Sequence, residues 1–192
     1  MSRISKFKQS LQPSHLKNKN IFWSLLMLSI FFFKFSPAHA VDLKVGDPAP
    51  NFTTKTHEGQ NFELSSQKGH YTVLFFYPKA GTPGCTTQAC AFRDNIKKIK
   101  DLGAEVYGIS ADSVADQMNF HKKHHLLFTL LADPDDKIIE AYGSKMPILK
   151  LSKRWTFILD ENLIIRAVEK DVDPSLDAQK VAEMITKLKA KK

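Results

Sequence analysis

The chain holds two cysteines, and both fall in one short segment, Pro78-Lys-Ala-Gly-Thr82-Pro-Gly-Cys85-Thr-Thr-Gln-Ala-Cys90. Before it runs Tyr71 to Tyr77, a β-branched and aromatic stretch that Pro78 stops; after it, Thr86 to Leu102 reads as a helix with Gly103 just past its end. Cys85 therefore stands where a strand hands over to a helix. The free N–H groups and the positive dipole end at such a place favour thiolate over thiol, which makes a nucleophile of the sulfur. Gly81 and Gly84 allow close backbone approach, and Pro83 stiffens the loop without offering a donor. Thr82, three residues before Cys85, brings a hydroxyl that can both donate and accept. At helical spacing Cys85 joins the apolar stripe Ala89, Phe92, Ile96 and Ile99, whereas Cys90 lies ~140° further round with Asp94 and Lys97. Cys85 is expected to face the body of the fold and Cys90 to point elsewhere. The bland alternative is a pair of buried structural cysteines.

Elements able to position this segment alternate along the chain. Asn51–Thr54 and Phe62–Leu64 flank a turn at His57-Glu58-Gly59-Gln60, and Tyr71–Tyr77 suits a central strand buried on both faces. Glu105–Ser110 reads as a strand, Val114–His125 as a helix, Phe128–Leu131 as a strand and Asp135–Tyr142 as a short helix. Trp155–Leu159 and Leu163–Val168 form two strands around Asp160-Glu161-Asn162. Asp173-Pro174-Ser175 opens a last helix whose stripe is Val181, Met184, Ile185 and Leu188. The expectation is an α/β domain, a central mixed β-sheet with helices on both faces.

The cysteine segment resembles the active-site signature of the peroxiredoxins, Pro-x-x-x-Thr-x-x-Cys, met here by Pro78, Thr82 and Cys85. Its extended form, Thr-Pro-Gly-Cys-Thr-x-Gln-x-Cys with Phe-Arg-Asp after it, is similar to the peroxiredoxin Q (bacterioferritin comigratory protein) branch of that AhpC/TSA-like family. The resemblance spans Val41 to Lys192, from Gly46-Asp47-Pro48-Ala49-Pro50-Asn51-Phe52 through Gly108-Ile109-Ser110 to Arg154-Trp155-Thr156-Phe157-Ile158-Leu159-Asp160. It implies a thioredoxin-like fold and thiol-dependent reduction of hydrogen peroxide and organic hydroperoxides, with no cofactor. By the same resemblance Cys85 is the peroxidatic cysteine, oxidised to a sulfenic acid. Cys90 is the resolving cysteine, and the two close a Cys85–Cys90 disulfide. Thr82 holds thiolate and peroxide, Arg154 stabilises charge building on the peroxide, and Pro78 shields the pocket from water. The implied reductant is thioredoxin or a thioredoxin-like exported protein, and the chain can work as a monomer. Two features depart from the pattern: Ser144–Lys153 is short and glycine-free, and a leader precedes the domain.

That leader accounts for the charge. The 192 residues carry 28 basic and 20 acidic side chains, a net +8, which would suit an acidic partner such as nucleic acid. Residues 1–40 hold six basic residues and no acidic one, so the remaining 152 carry only +2 and offer no nucleic-acid face. A basic stretch, the apolar run Ile21–Phe33 and Ala38-His39-Ala40 read as a secretory signal with cleavage after Ala40, giving a periplasmic or exported chain over 41–192. The alternative is an uncleaved anchor in the membrane. His121 and His125, i and i+4 on a helix, have metal-binding spacing but no evident third ligand. Asp133-Pro134-Asp135-Asp136 is a turn rather than a calcium loop, and the glycines form no nucleotide fingerprint. The rival reading is an exported copper-binding assembly protein on a thioredoxin-like fold, but its cysteines would stand closer and need a partner histidine. A disulfide oxidoreductase would want Cys-x-x-Cys.

Overall fold

The computed structural model describes residues 42–190, so both readings of the leader lie outside the described residues. Seven strands build one sheet: β1 (Thr53–Thr56), β2 (Asn61–Glu63), β3 (Tyr71–Phe76), β4 (Ala104–Ser110), β5 (Thr129–Ala132), β6 (Trp155–Leu159) and β7 (Ile165–Glu169), in the order β2-β1-β5-β4-β3-β6-β7. β3, β4 and β5 run parallel, and the outer pairings are antiparallel, so the sheet is mixed as expected. Four helices accompany it: α1 (Pro83–Asp101), α2 (Val114–Lys123), α3 (Lys137–Ala141) and α4 (Asp177–Lys189). Among the described residues no helix is long and apolar enough to cross a membrane.

β3 is buried along its whole length because each face of the sheet has its own cover. Val73, Phe75 and Tyr77 point to the side of α1, α2 and α4, with Ala89, Phe92, Phe120, Val181 and Ile185. Leu74 and Phe76 point to the other side, with Ile138, Ile139, Tyr142 and Leu64 of a short 3-10 turn. Phe92 stacks on Phe75 with ring centroids 4.5 Å apart and fixes the middle of α1 to the sheet.

Several bounds differ from those read in the sequence. β1 lies two residues later than expected, at Thr53–Thr56. α1 begins at Pro83, three residues earlier, since proline at the first helical position loses no bond. α2 stops at Lys123 because His125 adopts φ 49°, so His121 and His125 do not share a helical face. Asp173-Pro174-Ser175 forms a turn in which Asp173 accepts from Ser175, and the last helix starts only at Asp177.

Candidate active site

The site is built at the end of β3 and the start of α1. After Tyr77 and Pro78 the chain reverses through Gly81, whose φ of 77° is open to glycine at little cost. Nothing lies within 4 Å of where a Gly81 side chain would begin, so backbone conformation rather than close approach explains this residue. The loop is tied down from β4: Asp112 Oδ2 accepts from the Ala80 N–H and the Ser110 hydroxyl, each at 2.7 Å. Ser110 also accepts from Gln117, whose carbonyl takes the Tyr77 hydroxyl. Burial pushes the Tyr77 phenol far above its ordinary range, so it stays a neutral donor.

Thr82 is the extended residue ahead of α1, with Pro83, Gly84 and Cys85 in the first turn. Its side chain makes no capping bond; the hydroxyl donates instead to the Lys79 carbonyl at 3.0 Å. Thr82 thus leaves the N–H groups at the start of α1 without a side-chain cap. The Thr82 hydroxyl keeps its lone pairs, but its proton is not turned toward Cys85. Pro78 is half-buried on the same loop.

Arg154 enters from the neighbouring strand. It precedes β6, where Trp155 pairs with Phe76, so the start of β6 lies beside the end of β3. Arg154 Nη2 donates to Cys85 Sγ at 3.5 Å and Nη1 to Gln88 Oε1 at 2.6 Å. A Cβ on Gly84 would stand 3.2 Å from Arg154 Nη2, so glycine here makes room for the guanidinium. Cys85 is 1% exposed, and both cysteines are free thiols. Cys90 is half-buried further along α1, off the stripe that Cys85 shares with Ala89 and Phe92. Cys85 and Arg154 therefore come together, Thr82 stands three residues ahead on the same loop with its hydroxyl turned to Lys79, and Cys90 stands apart on the same helix.

Two further residues escaped sequence reasoning. Gln88 is fully buried one turn after Cys85, and its Nε2 donates to Asp177 Oδ2 at 2.7 Å. Asp177, at the start of α4, also accepts from the Thr156 hydroxyl at 2.8 Å. Burial pushes its carboxyl above the ordinary range, against the two bonds that favour the anion. A polar Gln88 on an otherwise apolar stripe was the available signal; nothing local to Asp177 in the sequence marked it.

Among the described residues the histidines form no metal set. His121 is half-buried and stacked on His57, ring centroids 3.8 Å apart, and no group of three or more ligating side chains occurs among the described residues. The copper reading gains no support from this geometry.

The AhpC/TSA family model matches residues 45–168. The chain belongs to that family. Its relatives include peroxiredoxin Q proteins: the chloroplastic peroxiredoxin Q of Oryza sativa subsp. japonica is 44% identical over 124 residues, 64% of this chain and 57% of the rice protein. The chain thus spans little more than half the length of that relative. Peroxidoxin BcpB from Mycobacterium tuberculosis shares 32% identity, with a TM-score of 0.72 over 77% of this chain and 99% of the other. The bacterioferritin comigratory protein of Xanthomonas campestris, a structure concerned with alkyl peroxide reduction, shares 26% identity and a TM-score of 0.67 over 71% of this chain and 91% of the other. The fold is thioredoxin-like, and Cys85 sits at the junction of β3 and α1, the longest helix among the described residues.

Proposed function

We propose that the protein is a thiol-dependent peroxidase that reduces hydrogen peroxide and organic hydroperoxides, with Cys85 as the peroxidatic residue. The observation that carries this reading is the Arg154 guanidinium, 3.5 Å from a buried sulfur in the first turn of α1. The Cys85 thiolate attacks the terminal peroxide oxygen and the O–O bond breaks. Cys85 becomes a sulfenic acid, and the departing oxygen leaves as alcohol or water after taking a proton. Arg154 and the uncapped N–H groups meet the charge that builds on the oxygens, and Thr82 offers a lone pair to the peroxide proton. Pro78 narrows access for water.

Resolution falls to Cys90, whose thiol condenses with the sulfenic acid, releasing water and closing the Cys85–Cys90 disulfide. Residues i and i+5 of a helix lie about 8.7 Å apart between Cα atoms, whereas a disulfide wants them within ~6.8 Å. Cys85 to Ala91 must therefore unwind, up to Phe92, which its stacking on Phe75 holds in place. A dithiol protein of the thioredoxin type then reduces the disulfide. Because one chain supplies both cysteines, a monomer suffices. The basic, apolar and Ala-x-Ala order of residues 1–40 supports export, and hence an exported reductant.

Stopped-flow peroxide consumption with single cysteine variants tests the reading. Cys85→Ser should abolish turnover, and Cys90→Ser should consume one equivalent and stop at the sulfenic acid. Equal peroxide reactivity of the two variants would refute it.

A further inference from the structure

We propose that Asp177 is a positioning residue, which fixes the orientation of the Gln88 amide and through it aims Arg154 at Cys85. A glutamine side chain has a donor end and an acceptor end, and packing alone does not choose between them. A carboxylate only accepts. Asp177 Oδ2 takes the Gln88 Nε2 proton at 2.7 Å, which turns Oε1 the other way, and there it accepts from Arg154 Nη1 at 2.6 Å. With the amide reversed, its NH2 group would face the guanidinium and its carbonyl the carboxylate, two repulsive contacts in place of two charge-assisted bonds.

The arrangement is confined at each joint. Thr156, two residues beyond Arg154, donates to the same Asp177 oxygen at 2.8 Å, so β6 and the residue just before it hold both ends of the relay. Gln88 is 0% and Asp177 2% exposed, which leaves little room for water to substitute for a lost partner. Once Nη1 is committed to Gln88, Nη2 is the group left facing Cys85 Sγ, and it lies where a Cβ on residue 84 would crowd it. The other charged side chains that act on Asp177 are Glu169 from β7 and Lys180 from α4.

The proposal rests on Cys85 being the reactive sulfur, so its test reads that sulfur without peroxide. In the full-length chain with Cys90→Ser, the rate of Cys85 alkylation by iodoacetamide is followed against pH. Asp177→Asn, which keeps the shape but lets residue 177 donate as well as accept, should move the profile to higher pH and slow alkylation at neutral pH about tenfold. In a Gln88→Ala background the same change should have no further effect. The reciprocal pair Gln88→Glu with Asp177→Asn restores an acceptor for Arg154 and a donor behind it, and should return the profile to within about twofold of the parent. An unshifted profile in Asp177→Asn, or equal slowing with Gln88 removed, would overturn the proposal. If the single variant does not fold, the reciprocal pair decides: parent-like alkylation upholds the relay, and persistent slowing in a folded pair refutes it. Peroxide consumption measured alongside reports separately on the peroxidase reading.

Discussion

If the first turns of α1 must open before the disulfide can close, the resolution rate should track the helical stability of a residue that touches neither sulfur. Thr87 is such a residue: exposed on α1 between the two cysteines, with its hydroxyl donated to the Pro83 carbonyl at 3.1 Å. Thr87→Ala and Thr87→Gly both delete that bond, so their comparison isolates the backbone. Alanine and glycine differ by about 1 kcal/mol in a helix interior, and about 1.4 kcal/mol is a factor of ten in an equilibrium constant. The population of the opened segment, and with it the rate of disulfide closure, should be about fivefold higher in the glycine variant. Rapid mixing with one equivalent of peroxide, acid quench and intact mass would follow sulfenic acid and disulfide with time. The initial peroxide step should be the same in both variants, because Thr87 lies outside the Cys85, Arg154 and Gln88 cluster. Equal closure rates in the two variants would mean that residue 87 stays helical during resolution, and the unwinding argument would fall.

Replacing Arg154 by Met keeps the bulk beside β6 but removes the donor to Cys85; the peroxide step should slow by well over tenfold in stopped flow, and the melting temperature should also fall because buried Gln88 Oε1 loses its partner. Gly84→Ala should push the guanidinium off the sulfur by a few tenths of an ångström and slow the same step, leaving the far-ultraviolet circular dichroism unchanged. His57 and His121 are both held below the ordinary histidine range, first by burial and, for His121, next by its neighbour. Their neutral forms belong to the fold, so their contribution is intact above the ordinary value near 6.5 and is lost as pH falls from there through the lower value each holds in the fold. The melting temperature should therefore fall as the pH is lowered below about 6.5, and His121→Phe, which keeps a ring on His57, should flatten part of that drop.

The path from sequence to site was uneven for physical reasons. Tyr71–Tyr77 announced itself because a strand covered on both faces needs apolar side chains at every position. The family resemblance connects Cys85 with Arg154 in advance, and the antiparallel pairing of β3 with β6 is what brings them together. β1 was misplaced because Thr-Thr-Lys-Thr near a sheet edge has no alternation to mark its bounds. His125 misled because a residue within an apparently helical run took a left-handed conformation and ended the helix before it. The Gln88–Asp177 contact joins residues far apart in the chain through a single hydrogen bond, and no local pattern encodes such a meeting.

The segment ahead of the sheet has a consequence for solubility. Gly46 donates to Ile165 O, Ile165 to Asp47 O and Ala49 to Leu163 O, each at 2.9 Å, so the stretch around Pro48 lies along the outer edge of β7. Beyond it that edge carries Arg166, tied to Asp160, and Lys170, tied to Asp42. The opposite edge, β2, is three residues long and shows Asn61 and Glu63 to solvent. Neither border offers the long row of free N–H and C=O groups onto which a strand from another molecule could be laid. If the Cys85 end of α1 opens during resolution, apolar surface is exposed at that moment, and sheet borders without such a row keep the encounter from growing into aggregation.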